Sequence, residues 1–312
     1  MAQIERIADD LLAIDVQYNH TPQVISAYLL LGERPSLIET GPTSTAETLL
    51  AGVTEAGVDP RDLRAAAVTH IHLDHAGGAG TLARRFPQLQ VYVHPAGAPH
   101  LIDPARLVAS AARLYGDALQ RLFGEVAPVP EQQVTVLEDG EHVLLGSRRL
   151  IAVETPGHAN HHHAFWDPTS GDLFTGDVAG VALPGSRYVR APTPPPQLDL
   201  PAWERSLARI RALNPRRLLL THFGPHTWVR ELLDQLEARL HKNLRLVREG
   251  LAAGESEDAI TGRLRAESLR EIELRDGTGA SARYELIMPI RQSVLGLIRY
   301  VQTSEQEESR AP

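Results

Sequence analysis

The sequence of 312 residues contains no cysteine. This absence excludes disulfide bonds, thiolate nucleophiles and cysteine-ligated zinc. Any metal ion that the protein binds must therefore be held by nitrogen and oxygen atoms. Lysine is almost absent as well, since Lys242 is the only one. The formal net charge of -8 disfavours a nucleic-acid partner, because non-specific binding to nucleic acid depends on neutralising its phosphates.

The sequence also lacks long apolar runs. None reaches the roughly 18 residues that a membrane-spanning helix needs. The first ten residues, MAQIERIADD, do not place an apolar segment after a basic one, as a secretion signal does. Hydrophobic residues make up 43% of the chain and charged residues 22%, which is typical of a globular protein. We therefore expect a cytoplasmic protein without membrane contact, and self-association is left open.

Two regions with different patterns divide the chain. Before about His226, short strands alternate with helices: LLAIDVQY and VISAYLLLG have strand composition, and PTSTAETLLAGVTEAG has the features of a helix. After it, leucines recur every fourth position and form one apolar helix face: Leu232, Leu236, Leu240 and Leu244. We predict a main domain of residues 1–226 and a C-terminal helical domain of residues 227–312. Its last residues, TSEQEESRAP, predict a disordered tail.

Four apolar runs in the main domain each end just before side chains that can bind a metal ion. The first leads into THIHLDH, and the others lead into PGH, GD and TH. Because strand ends that point the same way meet at one edge of a sheet, these side chains can converge. Buried ionisable groups without partners are costly, which favours a metal site over merely polar turns. The predicted ligands are His70, His72, Asp74, His75, His158, Asp177 and His222.

Two adjacent divalent ions fit this set. His70 and His72 are two residues apart, so their rings can face one ion together, and His158 would complete that trio. Asp177 can bridge the two ions through its two oxygens. The second ion would be held by Asp74, His75 and His222. Nitrogen and oxygen ligands of this kind are typical of zinc, iron or manganese rather than calcium. We expect two divalent ions, with Zn²⁺ as the first choice and iron or manganese as alternatives.

The order of these motifs resembles that of the metallo-β-lactamase superfamily. The resemblance covers roughly Ile4 to Pro225 and includes THIHLDH, PGH, GD and TH. It implies an α+β fold, a four-layer αβ/βα sandwich, here with a C-terminal helical extension, and it implies the same seven ligands. One departure lies in LIETG, where the family usually has an aspartate at the position of Glu39. That aspartate supports the histidine loop, so the role of the longer glutamate is left open.

The sequence departs from two branches of this superfamily. The oxygen-reducing di-iron branch has a glutamate where this chain has His72, and it adds a flavodoxin-like domain. The zinc β-lactamases commonly have a cysteine where this chain has Asp177. The remaining resemblance is to glyoxalase II and lactonase-type hydrolases. It implies that a metal-bridging hydroxide attacks a small ester, thioester or lactone, that Asp177 bridges the metals, and that Asp74 passes a proton to the leaving group.

Two alternative functions stay open at this point. One is a mono-iron thiol or persulfide dioxygenase, a branch that shares the equivalents of His70, His158 and Asp177. The other is hydrolysis of single-stranded RNA or another phosphodiester. A basic stripe on the first C-terminal helix could face RNA, although neighbouring carboxylates favour an ordinary solvated helix face. The stripe consists of Arg239, Lys242, Arg245 and Arg248.

Four further side chains are predicted to contact the substrate. Arg187, Tyr188 and Arg190 lie in the Pro-rich loop that follows Asp177, and His226 lies four residues after His222. The alternative is that the first three pack the Pro-rich loop in place. The selectivity for one substrate lies in loops that no motif governs, so the sequence does not identify the substrate itself.

Overall fold

Two β-sheets pack face to face in the computed structural model, which describes residues 3–276 and 280–308. The first sheet consists, in spatial order, of β1 (Gln3–Ala8), β2 (Leu11–Asp15), β3 (Ser26–Leu30), β4 (Ser36–Ile38), β5 (Ala65–Ala67), β6 (Gln90–Val93) and β7 (Val134–Val136). Strands β1 to β4 pair antiparallel, and β4 to β7 pair parallel. The strands predicted at LLAIDVQY and VISAYLLLG are confirmed as β2 and β3.

The second sheet contains the last six strands, and neighbours in the sequence are also neighbours in the sheet. From one edge to the other it consists of β13 (Gly224–His226), β12 (Arg217–Leu220), β11 (Asp172–Gly176), β10 (His163–Asp167), β9 (Arg148–Glu154) and β8 (His142–Leu145). The β11–β12 pair is parallel and the other pairs are antiparallel. Parallel neighbours end at the same edge of a sheet, so the segments that follow β11 and β12 emerge side by side.

Helices cover the outer faces of both sheets. Those of the main domain are α1 (Ala46–Glu55), α2 (Leu73–Ala76), α3 (Ala79–Arg85), α4 (Ala98–Ile102), α5 (Ala105–Tyr115), α6 (Leu119–Phe123) and α7 (Leu200–Leu213). The C-terminal ones are α8 (Val229–Ala252), α9 (Glu257–Asp276), α10 (Ala280–Ile287) and α11 (Ile290–Glu308). The helix predicted at PTSTAETLLAGVTEAG is confirmed as α1. In the described part of the chain, none of the helices is both long and apolar enough to cross a membrane.

The alternation of side chains along a strand explains the four layers. Leu11 and Ala13 of β2 point into the core between the sheets, together with Phe165 of β10. Leu12 and Ile14 of the same strand point into the core beneath the helices. Since successive strand residues face opposite sides, a strand covered on both faces is apolar throughout, as β2 is. The predicted αβ/βα sandwich is confirmed.

The C-terminal helices share a core with the second sheet. Leu232 and Leu236 of α8 are fully buried in one apolar cluster with Leu173 of β11 and Leu218 of β12. No strand follows His226 among residues 227–276 and 280–308. The boundary predicted at residue 226 therefore separates strands from helices, and the independence of the two parts stays a prediction.

The predicted disordered tail overlaps the end of the last helix. The sequence TSEQEESRAP begins at Thr303, yet α11 continues through Glu308, and residues 309–312 lie outside the described residues. Extending an existing helix costs far less than starting one, because each added residue gains a hydrogen bond without a new nucleus. Val301 anchors the preceding turn in the core, so polar residues can continue the helix.

Replacing Leu236 by alanine should lower the free energy of unfolding by about 2–5 kcal/mol, because the cavity left in a shared core cannot collapse fully. Chemical denaturation followed by circular dichroism and tryptophan fluorescence measures the loss. Because Leu236 packs on the second sheet, both signals should shift in one cooperative transition. The control, Leu274→Ala, changes a side chain that is 80% exposed and should have an effect below about 0.5 kcal/mol. Two separate transitions would contradict a shared core.

Candidate metal centre

The seven predicted ligands meet at one edge of the sandwich. Strand β5 leads into the segment with His70 and His72, and the short helix α2 carries Asp74 and His75. The other three ligands follow strands of the second sheet: His158 after β9, Asp177 after β11 and His222 after β12. Their ligand atoms form three overlapping triples, each within 4.8 Å. The first triple is His70–His72–His158 and the second is Asp74–His75–His222, while a third, His70–His75–Asp177, overlaps both.

A glycine allows Asp177 to come this close. Gly176 has φ +50°, a left-handed conformation, and a Cβ there would lie 2.4 Å from Thr69 Oγ1 and 2.7 Å from His162 Nε2. A side chain at this position would therefore collide with the histidine segment. The GD motif thus combines a predicted ligand with a glycine, the residue type that allows the end of β11 to lie against Thr69 and His162.

Three histidine nitrogens crowd together in the first triple. His72 Nδ1 lies 2.9 Å from both His70 Nε2 and His158 Nε2. The outward nitrogens of the two flanking rings determine their protonation. His158 Nδ1 donates to the carbonyl oxygen of Pro192 at 2.8 Å, so the neutral ring has a lone pair on Nε2.

The ring of His70 also has its proton on Nδ1 and its lone pair on Nε2. The hydroxyl of Thr69 donates to Glu39 Oε1 at 2.6 Å, so Thr69 Oγ1 is left to accept from His70 Nδ1 at 3.0 Å. His70 Nε2 therefore also presents a lone pair to His72 Nδ1. A proton on His72 could satisfy only one of the two lone pairs, whereas a metal ion can be bound by all three nitrogens.

The protonation of the first triple favours neutral ligands. Burial, with neighbouring histidines, holds the pKa of His70 well below its usual value and lowers the pKa of His72 to about 3. Burial also lowers the pKa of His158. Because a metal ligand must be a neutral imidazole, these three rings are ready to bind at neutral pH.

The second triple combines two histidines with a carboxylate. His222 Nδ1 donates to the carbonyl oxygen of Val24 at 2.8 Å, which directs Nε2 inward to a distance of 3.3 Å from Asp74 Oδ2. His75 Nε2 lies 3.7 Å from the same oxygen. His75 Nε2 is buried without a hydrogen-bond partner in the described residues, as expected of a ligand atom that awaits an ion.

Asp177 faces both triples with different oxygens. Its Oδ2 lies 3.3 Å from His158 Nε2 in the first triple. Its Oδ1 lies 3.3 Å from His75 Nε2 and 3.4 Å from His222 Nε2 in the second. This Oδ1 has no hydrogen-bond donor among the described residues, although it is buried. The arrangement is that of a carboxylate placed to bridge two ions.

The second triple lies in a region of excess negative charge. Burial alone would lower the pKa of His75, but three carboxylates, led by that of Asp177, together raise it well above the usual value. The same balance raises the pKa of His222. Burial alone would raise the pKa of Asp177, yet His75 and its neighbours lower it well below the usual range. Among residues 3–276 and 280–308, no lysine or arginine pairs with these ionised carboxylates, which favours a bound cation. The residues present therefore fit metal ions.

Glu39 anchors the centre from behind. Its carboxylate accepts hydrogen bonds from His75 Nδ1 at 2.9 Å, from the hydroxyl and backbone N–H of Thr69, and from the hydroxyl of Thr221. It is fully buried. By holding His75 Nδ1–H it fixes Nε2 as the inward atom. The glutamate thus supports the histidine segment, which answers the question its length raised.

His162 is a supporting residue that the sequence motifs did not single out. The backbone N–H of Asp177 donates to His162 Nε2 at 3.2 Å, and His162 Nδ1 lies 2.8 Å from Thr155 Oγ1. Burial, then the neighbouring His158, lowers the pKa of His162 well below its usual value, so the ring stays neutral and can accept. His162 therefore positions the bridging carboxylate. The run of three histidines was the only sequence signal for it.

The predicted substrate contacts have protein partners elsewhere. Tyr188 is fully buried and donates to Ser268 Oγ of α9 at 3.1 Å. Arg190 is buried too and donates to the carbonyl oxygen of Met288 at 2.9 Å. Arg187 stacks over the Trp228 ring at 4.9 Å. These contacts favour the packing alternative, in which the Pro-rich loop is held against the C-terminal helices.

His226 likewise points away from the centre. Its Nε2 donates to the carbonyl oxygens of Ala182 and Phe223 at 3.0 and 3.1 Å, and its Nδ1 accepts from Trp228 Nε1 at 3.1 Å. With both nitrogens engaged, the ring ties β13 to the loop after Asp177. His226 belongs to none of the three triples.

Two cavities adjoin the centre. The first, of about 170 Å³, reaches His72, Asp74 and Asp177 and is called the α5 cavity after the helix that lines it. The second, of about 200 Å³, reaches Asp74 and His222. Asp74, whose side chain is 21% exposed, borders both. Two aromatic rings also line both and form an edge-to-face pair with centroids 4.7 Å apart, those of Tyr115 and Phe123. A substrate that lies across the centre can therefore extend in two directions.

The fold and the site define an αβ/βα sandwich protein with a metal-binding cluster of histidines and aspartates at one edge. A family model described as the metallo-beta-lactamase superfamily matches residues 20–222. The chain belongs to that superfamily. The resemblance of the motifs is thereby confirmed, and so is the class of enzyme, a metal-dependent hydrolase.

Relatives agree with this assignment. Metallo-beta-lactamase fold-containing protein ST1585 of Sulfurisphaera tokodaii is 28% identical over 207 residues, which cover 65% of this chain and 74% of that protein. A hydroxyacylglutathione hydrolase of Thermosynechococcus vestitus is 34% identical over 132 residues, which cover 42% of this chain and 40% of that enzyme. The crystal structure of metallo-beta-lactamase family protein TTHA1429 from Thermus thermophilus has a TM-score of 0.71 at 21% identity, over 96% of this chain and 95% of that one. The last likeness shows the fold alone.

Protein purified without chelators should contain about two divalent ions per chain, as dinuclear sites do. Asp177→Ala should lower the content to about one, because the bridging oxygens are lost. Elemental analysis by mass spectrometry measures both values. Asp103→Ala, which removes an exposed aspartate of the main domain, should leave the content unchanged. Wild-type protein without any metal would refute the site.

Glu39→Ala should weaken metal binding about 10–100-fold, as is usual when a residue that orients a ligand histidine is removed. Competition with a chromophoric chelator measures the affinity. Glu39→Gln retains an oxygen that can accept from His75 and should lose less than Glu39→Ala. Equal affinities in all three proteins would show that the hydrogen bond to His75 does not orient the ligand.

Proposed function

We propose that the protein hydrolyses a small carboxylic ester, thioester or lactone at a centre of two divalent metal ions, with zinc preferred over iron and manganese. The observation that carries the proposal is the position of Asp177, whose two oxygens face separate sets of ligands. The partial similarity to a hydroxyacylglutathione hydrolase also supports a thioester or a related acyl compound. The proposed ligands are the seven side chains described above.

Two divalent ions at this centre would supply a water that deprotonates near neutral pH and positive charge beside the substrate's oxygens. The protein's own residues have complementary tasks. His158 and His222 keep their inward lone pairs because backbone carbonyls hold their outer nitrogens. Asp177 is held in register by His162 through its backbone N–H. These contacts preorganise the centre before a substrate arrives.

Asp74 is the proposed proton carrier. Burial by itself would raise its pKa, but His75 and His222 lower it to about 2, so its carboxylate is ionised at neutral pH. An ionised carboxylate beside both cavities can accept the proton from the attacking water and pass it to the leaving group. The side chain of Asp74 is 21% exposed, which leaves it more accessible to substrate than the buried carboxylate of Asp177.

The two alternatives explain fewer of these features. A mono-iron dioxygenase would need only His70, His158 and Asp177, which would leave the second triple without a purpose. RNA binding would need the basic stripe of α8. Yet Lys242 forms ion pairs with two glutamates of α9, and Arg239 is buried against one of them. Two of the four positive charges of the stripe are thus compensated within the protein.

Metal-loaded protein should hydrolyse members of a panel of esters, thioesters and lactones. Asp74→Asn should lower kcat by about 10²–10⁴-fold, the usual contribution of general acid–base catalysis. Steady-state kinetics gives kcat, and elemental analysis of the same samples separates loss of proton transfer from loss of metal. Cleavage of single-stranded RNA, or oxygen uptake with a thiol or persulfide, without activity on the panel would refute the proposal in favour of the corresponding alternative.

A further inference from the structure

The α5 cavity has one wall made by a single helix face. Residues at positions 106, 107, 110, 111, 114 and 115 of α5 line it. This spacing of three and four places them on one side of a helix. Leu107, Ala111 and Leu114 make the middle of that face apolar, and the adjacent Ala109 and Ala112 on the other sides are exposed.

Helix α5 packs on the apolar core through Ala111 and Leu107, and the same face also lines the cavity. Leu107 and Leu114 are only half-buried. Amphipathic helices normally bury such a face against protein. Apolar area that stays next to solvent forfeits the free energy of its burial. The face therefore favours an apolar ligand that completes the burial.

The opposite wall continues the apolar lining. Met288, between α10 and α11, and the prolines Pro194, Pro195 and Pro196 line the same cavity, and Ile71 lies near its inner end. The polar residues of the lining, apart from the metal-centre side chains, include His100, Arg106 and Gln197.

The length of the cavity follows from α5. Tyr115, at the C-terminal end of the helix, lies beside the metal centre, because it also lines the second cavity, which reaches both Asp74 and His222. Arg106, near the other end of the helix, is exposed and lines the same cavity. At 1.5 Å per residue, the nine steps from Tyr115 to Arg106 span roughly 13 Å.

We propose that this cavity binds the acyl part of the substrate, and that this part is an apolar chain or ring of about six carbon atoms. The inference rests on the proposed function and specifies its substrate class. The size follows from the volume of about 170 Å³, since an apolar cavity of about 150 Å³ accommodates benzene. A small hydroxyacyl group would leave most of the apolar lining uncovered.

The second cavity leaves room for the other part of the substrate. Its lining mixes apolar residues, such as Ile287, with polar ones, such as Asn19 and Gln292, and it adjoins Asp74, the proposed proton carrier. A leaving group in this cavity would lie beside the residue that is proposed to protonate it. The proposal therefore places the acyl part in the α5 cavity and the leaving group in the second cavity.

The test uses metal-loaded protein and two measurements. The first is kcat/KM for p-nitrophenyl esters with unbranched acyl chains of two to twelve carbons. The value should rise up to about fourfold per methylene, the factor for burying one CH₂ group, and stop rising near six to eight carbons. The second is calorimetric binding of the corresponding free carboxylates, which needs no turnover and should show the same dependence on length.

Matched variants locate the effect. Ala111→Leu fills the cavity and should lower the preference for hexanoyl over acetyl ester by about tenfold or more, whereas Ala109→Leu, on the exposed side of the same helix, should not change it. Leu114→Ala widens the cavity and should move the optimum to longer chains. The side chain of Leu114 belongs to no buried apolar cluster among the described residues. Leu114→Ala should therefore fold, and it tests the cavity even if Ala111→Leu does not fold.

The outcomes separate the two proposals. Hydrolysis without dependence on acyl length, or with a dependence that the cavity variants do not alter, would overturn the acyl assignment and leave the hydrolase function standing. A length dependence that appears only when the alcohol part is varied would also overturn it. Length-dependent carboxylate binding without hydrolysis of any ester, thioester or lactone would refute the proposed function and, with it, the acyl assignment.

Discussion

The metal centre depends on hydrogen bonds that the ligand histidines make on their outer sides. A buried neutral imidazole has one N–H and one lone pair, so a partner that accepts the N–H determines where the lone pair points. Backbone carbonyls accept from His158 and His222, and the Glu39 carboxylate accepts from His75. Without these acceptors, the rings could place their protons on the inward nitrogens and form hydrogen bonds with one another. Those nitrogens would then have no lone pair for an ion.

This constraint explains which parts of the centre the sequence could predict. The predicted ligands directly follow apolar strand runs, and their types and order were enough to predict that these side chains converge. The groups that accept from the outer N–H of these histidines have no such sequence pattern. The contacts of Glu39 join it to segments 30, 36 and 182 residues away, and two of the other acceptors are backbone carbonyls, which any residue can supply. Their role becomes visible only when the two sheets are in place.

Nearness in sequence to a motif does not determine what a side chain contacts. Tyr188, Arg190 and His226 follow ligands closely, but Tyr188 and Arg190 contact residues 80 and 98 positions further along the chain. The strands were easier to predict than these contacts. A strand that is buried on one or both faces shows a pattern of apolar residues within a few consecutive positions. The apolar face of helix α5 lines a cavity only because of the residues that surround the helix in space.

The C-terminal helices affect the centre through the Pro-rich loop. Helix α11 approaches this loop so closely that a Cβ on Gly296 would lie 1.9 Å from the carbonyl oxygen of Thr193, and Thr193 donates through its hydroxyl to the carbonyl oxygen of Ser293. The preceding residue, Pro192, supplies the carbonyl that orients His158. The prolines that follow line the α5 cavity. One packing contact therefore connects the appended helices both to the orientation of a ligand and to the shape of the substrate site, so a change in these helices can alter metal affinity and specificity together.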